Sequence, residues 1–199
     1  MGEVDYGESL QGYDQVEEAP VLDDSALAAG WYPLEIVKIL NKGVSKQEVP
    51  YVRMQARVFD GPSRGRNTFL MISLTESPVK RRDGLEFKRT VGERAEARAT
   101  QQGNMKRLLR SMGVNTGAAL GVGPEQVFSF YNVDSWEGRQ LMARLKLDNE
   151  RPDGKGGNYP PGNSLSSTTT LDDKKHGLGV YLADGGGVAK PASSGAVRL

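Results

Sequence analysis

The stretch Pro50-Tyr-Val-Arg-Met-Gln-Ala-Arg-Val-Phe-Asp-Gly-Pro-Ser-Arg-Gly-Arg-Asn-Thr-Phe-Leu-Met-Ile-Ser-Leu-Thr75 sorts into two faces when read at a period of two. Val52, Met54, Ala56 and Val58 fall on one side of a first strand, with Tyr51, Arg53, Gln55, Arg57 and Phe59 on the other. A second strand sets Thr68, Leu70, Ile72 and Leu74 against Asn67, Phe69, Met71 and Ser73. Asp60-Gly-Pro-Ser-Arg-Gly-Arg66 between them is a turn signal carrying Arg64 and Arg66. Alternation of this kind puts one set in a core and the other in solvent, so the pair reads as an antiparallel hairpin over 50–60 and 66–75.

Outward from the hairpin, Trp31 to Leu40 is apolar with a change of parity: Leu34 and Ile36 on one side, Val37 and Ile39 on the other. A parity switch inside one strand predicts a β-bulge or strong bend, the device that curls a sheet toward a barrel. Asn41 to Ser45 reads as the turn out of this strand. Lys80-Arg81-Arg82-Asp83-Gly84 reads as a basic loop tip, flanked by a short hairpin with Leu85 and Phe87. Asn104 resembles a helix N-cap, followed by Met105, Leu108, Leu109 and Met112 on one helical face and Gly113 as the stop. Val127, Phe128 and Phe130 suggest a short strand or turn under the core. Arg139 to Asp148 alternates, with Leu141, Ala143, Leu145 and Leu147 inward and Gln140, Met142, Arg144 and Lys146 outward. Leu178, Val180 and Leu182 predict a last short strand. The expected domain is 30–183, with long mobile loops at about 76–100 and 149–173. A disordered acidic arm precedes it over 1–29 and a flexible tail follows over 184–199.

Composition narrows the function classes. At 199 residues and 37% hydrophobic content, the chain supports one well-cored domain with flexible segments. It contains no long apolar run for a membrane span, and its acidic start is unlike a secretory leader, so a cytoplasmic location is expected. No cysteine is present, which excludes disulfides and thiolate metal sites. His176 is the single histidine and stands in a polar context, as expected of an incidental surface residue. No phosphate-cradling glycine loop and no nucleophile elbow occurs. No catalytic residue, metal site or cofactor is expected, and the chain is read as a non-enzyme. Asp83, Glu86 and Lys88 have a spacing used by metal-dependent nucleases, which keeps that class as a distant rival.

The net charge of +1 conceals a strong asymmetry. Residues 1–30 carry eight acids and no Lys or Arg, leaving +9 for 31–199. Residues 53–110 alone hold 14 Lys or Arg against 6 Asp or Glu. A localised basic field beside a face of aromatics and amides is the footprint of a protein that holds a single-stranded polyanion, rings stacking on bases and cations on phosphates. On this reading Tyr51, Phe59 and Phe69 stack. Arg53, Arg57, Arg64, Arg66, Arg144 and Lys146 hold phosphates, and Lys80, Arg81 and Arg82 close a mobile loop over the strand. The rival for the same surface is a virion or scaffold assembly interface, and a homo-oligomer is compatible with either.

Five strands with one helix between the third and fourth describe a mainly β, OB-fold-like five-stranded Greek-key barrel. The order Gly30-Trp-Tyr, Tyr51-Val-Arg-Met, Phe59-Asp-Gly-Pro, Gly65-Arg66-Asn-Thr, Leu108-Leu109-Arg-Ser-Met-Gly113, Asp134, Gly138-Arg and Leu141-Met-Ala-Arg-Leu resembles an uncharacterised family of phage and prophage proteins. That family is encoded among replication and recombination genes and is taken to supply single-stranded DNA-binding proteins. The resemblance covers roughly 28–148 and implies single-stranded DNA as ligand, without strong sequence preference and with RNA left open. Bacterial and phage proteins of this activity often recruit partners through an acidic C-terminal tail, whereas here the acids lie in the N-terminal arm and the chain ends Ala-Val-Arg-Leu199. Recruitment of replication or recombination proteins is therefore expected of the arm.

Overall fold

In the computed structural model, residues 26–82, 85–149, 151–152, 158–159 and 161–184 are described. The quoted alternation becomes strands β2 (Pro50–Val58) and β3 (Asn67–Ser73), paired antiparallel with Val52 opposite Ile72 and Met54 opposite Leu70. Every residue assigned inward on this pair, from Val52 to Leu74, is buried. Side chains of this size contribute about 1.5–3 kcal/mol each on full burial, so the register cannot slip by one residue without exposing the whole set.

Strand β1 (Gly30–Val44) pairs with β2 on one side and, on the other, with the strand over Gln140–Asp148. The parity switch appears as two register irregularities against β2, between Ile36 and Lys38 and between Ile39 and Asn41. They bend β1 and let it run through the segment 41–44, which the sequence suggested as a turn. The turn instead spans 45–49, where Glu48 takes a left-handed φ of 59°.

Two further two-residue strands, β7 (Arg151–Pro152) and β8 (Asn158–Tyr159), form a small hairpin beyond β6 (Gln140–Asp148). Strand β9 (Gly162–Thr169) then pairs along β6, giving a five-stranded antiparallel sheet in the order β3-β2-β1-β6-β9. This corrects the loop expected over 149–173. Gly-Asn-Ser-Leu-Ser-Ser-Thr-Thr has a single large apolar residue and no hydrophobic alternation. Its backbone ladder with β6 holds it, aided by Ser166 Oγ donating to the Arg144 carbonyl. The strand expected at 178–182 is instead a short helix, α3 (Leu178–Ala183), with Tyr181 buried. Gly61, at φ +83°, receives that ring so closely that a Cβ there would lie 2.5 Å from Tyr181 Cε1. Burial pushes the Tyr181 phenol up to about 12.

The outer strands β3 and β9 approach one another without a shared ladder, so the antiparallel sheet curls but does not close, in place of the expected barrel. Thr68 Oγ1 donates to Asn163 Oδ1 across the seam at 3.2 Å. The same side chain grips both sides of Leu27: its Oδ1 accepts from the Leu27 N–H at 2.8 Å and its Nδ2 donates to the Leu27 carbonyl at 2.7 Å. Leu27 is fully buried, which moves the start of the domain upstream of residue 30. The rest of the acidic arm, to residue 25, and the tail from 185 lie outside the described residues.

Helix α1 (Val91–Met112) spans 22 residues, nearly three times the length of the apolar face over Met105–Met112, and Asn104 lies in its interior rather than at its cap. The cap is Thr90: the Glu93 N–H donates to Thr90 Oγ1 at 3.3 Å, and the Thr90 N–H donates to Glu93 Oε2 at 2.9 Å. Met105, Leu108, Leu109 and Met112 are buried as expected, and Gly113 closes the helix at φ 65°. The first half shows no apolar stripe because only Glu93, Ala97 and Gln101 on it are partly covered, and they face a polar groove. Before α1, β4 (Val79–Arg82) and β5 (Leu85–Lys88) form the short hairpin expected there, tied to α1 through Lys80 Nζ and Glu93 Oε1 at 3.1 Å. Helix α2 (Pro124–Phe130) replaces the strand or turn suggested there, and a 3-10 turn (Val133–Ser135) leads to the fully buried Trp136. No helix among the described residues is long and apolar enough to cross a membrane.

The capping box carries a pH dependence. Hydrogen bonds from the Thr90 backbone, then from Lys80 and the Thr90 hydroxyl, lower the Glu93 carboxyl from 4.5 to about 2. A depressed folded-state value means a contribution present in full above pH 4.5 and lost as pH falls toward 2. Far-ultraviolet circular dichroism is expected to show α1 fraying over that window, and Glu93→Gln should show lower helicity already at neutral pH with a flatter profile. An identical profile in the variant would remove Glu93 from this role.

Candidate nucleic-acid interface

The register of β1, β2 and β3 lays the outward side chains in rows. Gly43, Tyr51 and Ser73 form one; Asn41, Arg53 and Met71 the next; Lys38, Gln55 and Phe69 the third; Glu35, Arg57 and Asn67 the fourth. Residues facing each other on neighbouring strands share a face about 5 Å apart, so each row is a contiguous strip. Phe69 is 51% and Met71 66% exposed at the centre of this surface. Arg53 beside Met71 and Lys38 in the row of Phe69 are exposed, and no acidic side chain among the described residues engages them.

The twelve residues singled out from sequence do not form one site. Phe69 and Arg53 occupy the platform. Tyr51 stands at its edge with its ring packed on Gly43, where a Cβ would lie 2.8 Å from Tyr51 Oη, so one ring face is covered. Asn41 Nδ2 donates to the same hydroxyl at 3.4 Å. Arg57 is bound by Glu35, Nη2 to Oε2 at 3.1 Å, which neutralises much of its field. Phe59 is half-buried past the end of β2, its N–H donating to the Pro33 carbonyl at 3.0 Å. Arg64 is exposed on the turn, whereas Arg66 is half-buried beside Tyr32. Burial raises the Tyr32 phenol, and Arg66 partly offsets that rise.

The basic hairpin is largely self-compensated. Arg81 donates through Nε and Nη2 to Glu86 Oε1 at 3.1 and 2.9 Å, and Gln47 Nε2 donates to the same oxygen at 2.8 Å. Lys80 is held by Glu93 and lies 5.7 Å from the Phe87 ring centroid. The side chain of Arg82 and the residues Asp83 and Gly84 lie outside the described residues. The groove between this hairpin, the 45–49 turn and the first half of α1 encloses about 920 Å³. Its walls carry Glu76, Glu86, Glu93 and Glu96 against Lys46, Lys80, Arg81 and Arg89. Such a balanced lining adds nothing to a field for polyanions.

Arg144 and Lys146 are exposed on β6, across β1 from the platform, with Arg144 opposite Trp31 and Ser167. On the same strand Met142 is buried and Leu147 is 49% exposed, the reverse of the alternation read from sequence. The ladder to β9 is irregular between Arg144 and Leu145, where Ser166 of β9 is the extra residue, so β6 itself keeps Leu141, Ala143 and Leu145 inward and Arg144 and Lys146 outward. Sequence reasoning left Lys38, Asn41, Gln55 and Met71 out of the site. Gln55 and Met71 carried the outward parity of the hairpin, while the β1 irregularities concealed the face of Lys38 and Asn41. Among the described residues no group of three acidic or histidine side chains gathers as metal ligands. No protein-family model and no curated protein matches the chain. Function is therefore read from the surface itself.

Proposed function

We propose that this domain binds single-stranded nucleic acid, DNA in the first instance, along the outer face of β1, β2 and β3. The observation that carries the proposal is the exposed Phe69 and Met71 pair on the face opposite the core, flanked by Arg53 and Lys38, which no acidic side chain among the described residues engages. Adjoining exposed apolar side chains rimmed by polar and charged groups are the kind of surface that marks an interaction site. The sequence of three sheet strands, a helix and two more strands, with β1 at the centre, supports an OB-like reading of the fold. The resemblance to phage and prophage replication or recombination proteins supports DNA as the ligand and such a module as the setting. Arg57, Lys80 and Arg81, each paired with a carboxylate, are secondary to this mechanism.

Phe69→Ala is expected to weaken binding of an oligodeoxythymidylate by about 1–3 kcal/mol, the worth of one stacked base, with an unchanged melting midpoint. Fluorescence anisotropy with single-stranded and duplex probes measures it. Tighter binding to the duplex, or unaltered affinity in Phe69→Ala, would sink the proposal.

A second reading, assembly with other protein copies, is favoured by one observation. Leu85, Phe87 and Val91 on and beside the β4–β5 hairpin are 72%, 39% and 89% exposed, and no described strand pairs with the outer edges of that hairpin. Sedimentation of the protein alone decides it: oligomers that form without nucleic acid and dissolve in Leu85→Asp would favour assembly.

A further inference from the structure

A second aromatic site stands on the other flank of the sheet. Trp31 stacks on His176 with ring centroids 4.6 Å apart and planes inclined by 15°. Across the β1–β6 ladder Trp31 faces Arg144, and Lys146 is the next outward residue along β6. Both cations are exposed, and neither side chain is engaged among the described residues. The turn that presents His176 is built firmly: the Asp173 carboxylate accepts from the N–H of His176 at 2.7 Å, from the N–H of Lys175 at 2.9 Å and from Thr169 Oγ1 at 3.0 Å. Those bonds hold the Asp173 carboxyl below its ordinary value, so it stays an acceptor. The Lys174 and Lys175 side chains are exposed. Trp31 and His176 also line an open pocket of about 160 Å³ with Lys175, Val180, Tyr181 and Asp184. Too small for an extended ligand, it has room for one planar ring.

We propose that Trp31, stacked on His176 and flanked by Arg144, Lys146 and Lys175, is a second base-stacking site for a single strand, separate from the Phe69 platform. The inference rests on the proposed function and extends its site. Trp31 and His176 are each half-buried and cover one ring face of the other, so a base would reach them through the open pocket they line, with Arg144, Lys146 and Lys175 beside it for its phosphates. Strand rise and spacing put Trp31 roughly 20–25 Å from Phe69, so one strand must be long enough to reach both. Arg144 and Lys146, remote from the platform, acquire a role here that the platform does not give them.

The chain has two tryptophans, and Trp136 is fully buried, so emission that responds to ligand reports Trp31. The experiment titrates the full chain with oligodeoxythymidylates of about 5 and about 15 nucleotides, lengths within the range for one such domain. The longer probe is expected to quench Trp31, and Trp31→Phe, which keeps a ring but leaves only Trp136 emitting, should abolish the quench while binding more tightly than Trp31→Ala. Trp31→Ala should bind the longer probe at least about five-fold more weakly, with the melting midpoint unchanged. Binding of the longer probe without quenching in the wild-type chain overturns the inference, whether or not any variant folds. Equal weakening for both probes with a lowered melting midpoint also overturns it, assigning Trp31 to packing of α3. Loss of binding in Phe69→Ala alongside an unquenched Trp31 would leave the platform standing while this site falls; no binding of either probe would remove both.

Discussion

Trp136→Ala is expected to lower the unfolding free energy by about 3–5 kcal/mol, a third or more of the stability of a marginal domain. The indole is fully buried in the main core, and its Nε1–H donates to the Tyr131 carbonyl at 3.0 Å. Truncation leaves a cavity and strips a buried carbonyl of its donor, two penalties of the same sign. The backbone around it docks on β1: Gly138 donates to the Ile36 carbonyl at 2.8 Å, and Ile36 donates to the Arg139 carbonyl at 2.9 Å. Loosening the indole therefore loosens the entry to β6 as well as the core. Urea denaturation measures the loss, with Leu120→Ala as the comparison. Leu120 is 66% exposed and should shift stability by no more than about 0.5 kcal/mol. A Trp136→Ala cost below about 1 kcal/mol would show that the cluster does not depend on this ring.

Affinity for a single strand should fall about 60- to 130-fold between 50 and 200 mM salt. Among the described residues, the outer sheet face and its turn carry Lys38, Arg53, Arg64, Arg144 and Lys146 with no acidic side chain engaging them. If about four or five phosphates meet them, the single-strand rule gives a log–log slope of about −3 to −3.5. Arg53→Ala should reduce the magnitude of that slope by about 0.7, the share of one phosphate. Arg81→Ala should leave it nearly unchanged, because Glu86 already holds that guanidinium. Anisotropy titrations at several salt concentrations test both variants. A flat salt response would mean that binding, if present, does not run along this basic face.

The pairings among these residues explain why the site was only half legible. Composition revealed the basic excess over 53–110, and alternation placed Phe69, Arg53 and Met71 outward. Nothing local marks Arg57 as neutralised by Glu35, or Arg98 as held by Glu76, since each pair is separated by 22 residues of chain. A count of charges treats them as equal, whereas a carboxylate 3 Å away cancels most of the field that a phosphate would meet.

The sequence by itself determined the β2–β3 hairpin and its two faces, the bend of β1, the buried face of α1 and its stop at Gly113. Each follows from residues within a few positions of one another: period-two burial, a parity switch, an i, i+3, i+4, i+7 stripe and a left-handed glycine. Only the tertiary structure decided that Gly162–Thr169 is a strand, that α1 begins at Val91 and that Leu27 belongs to the core. It also decided that the sheet curls without closing and that Trp31 meets His176. These features rest on partners distant in the chain. β6 supplies the ladder that a Ser- and Thr-rich segment cannot signal by hydrophobicity, and Asn163 holds Leu27 across 136 positions. Local patterning is legible because burial selects side chains one strand or helix at a time. Pairing between remote segments is decided by backbone hydrogen bonds, which every sequence carries and none advertises.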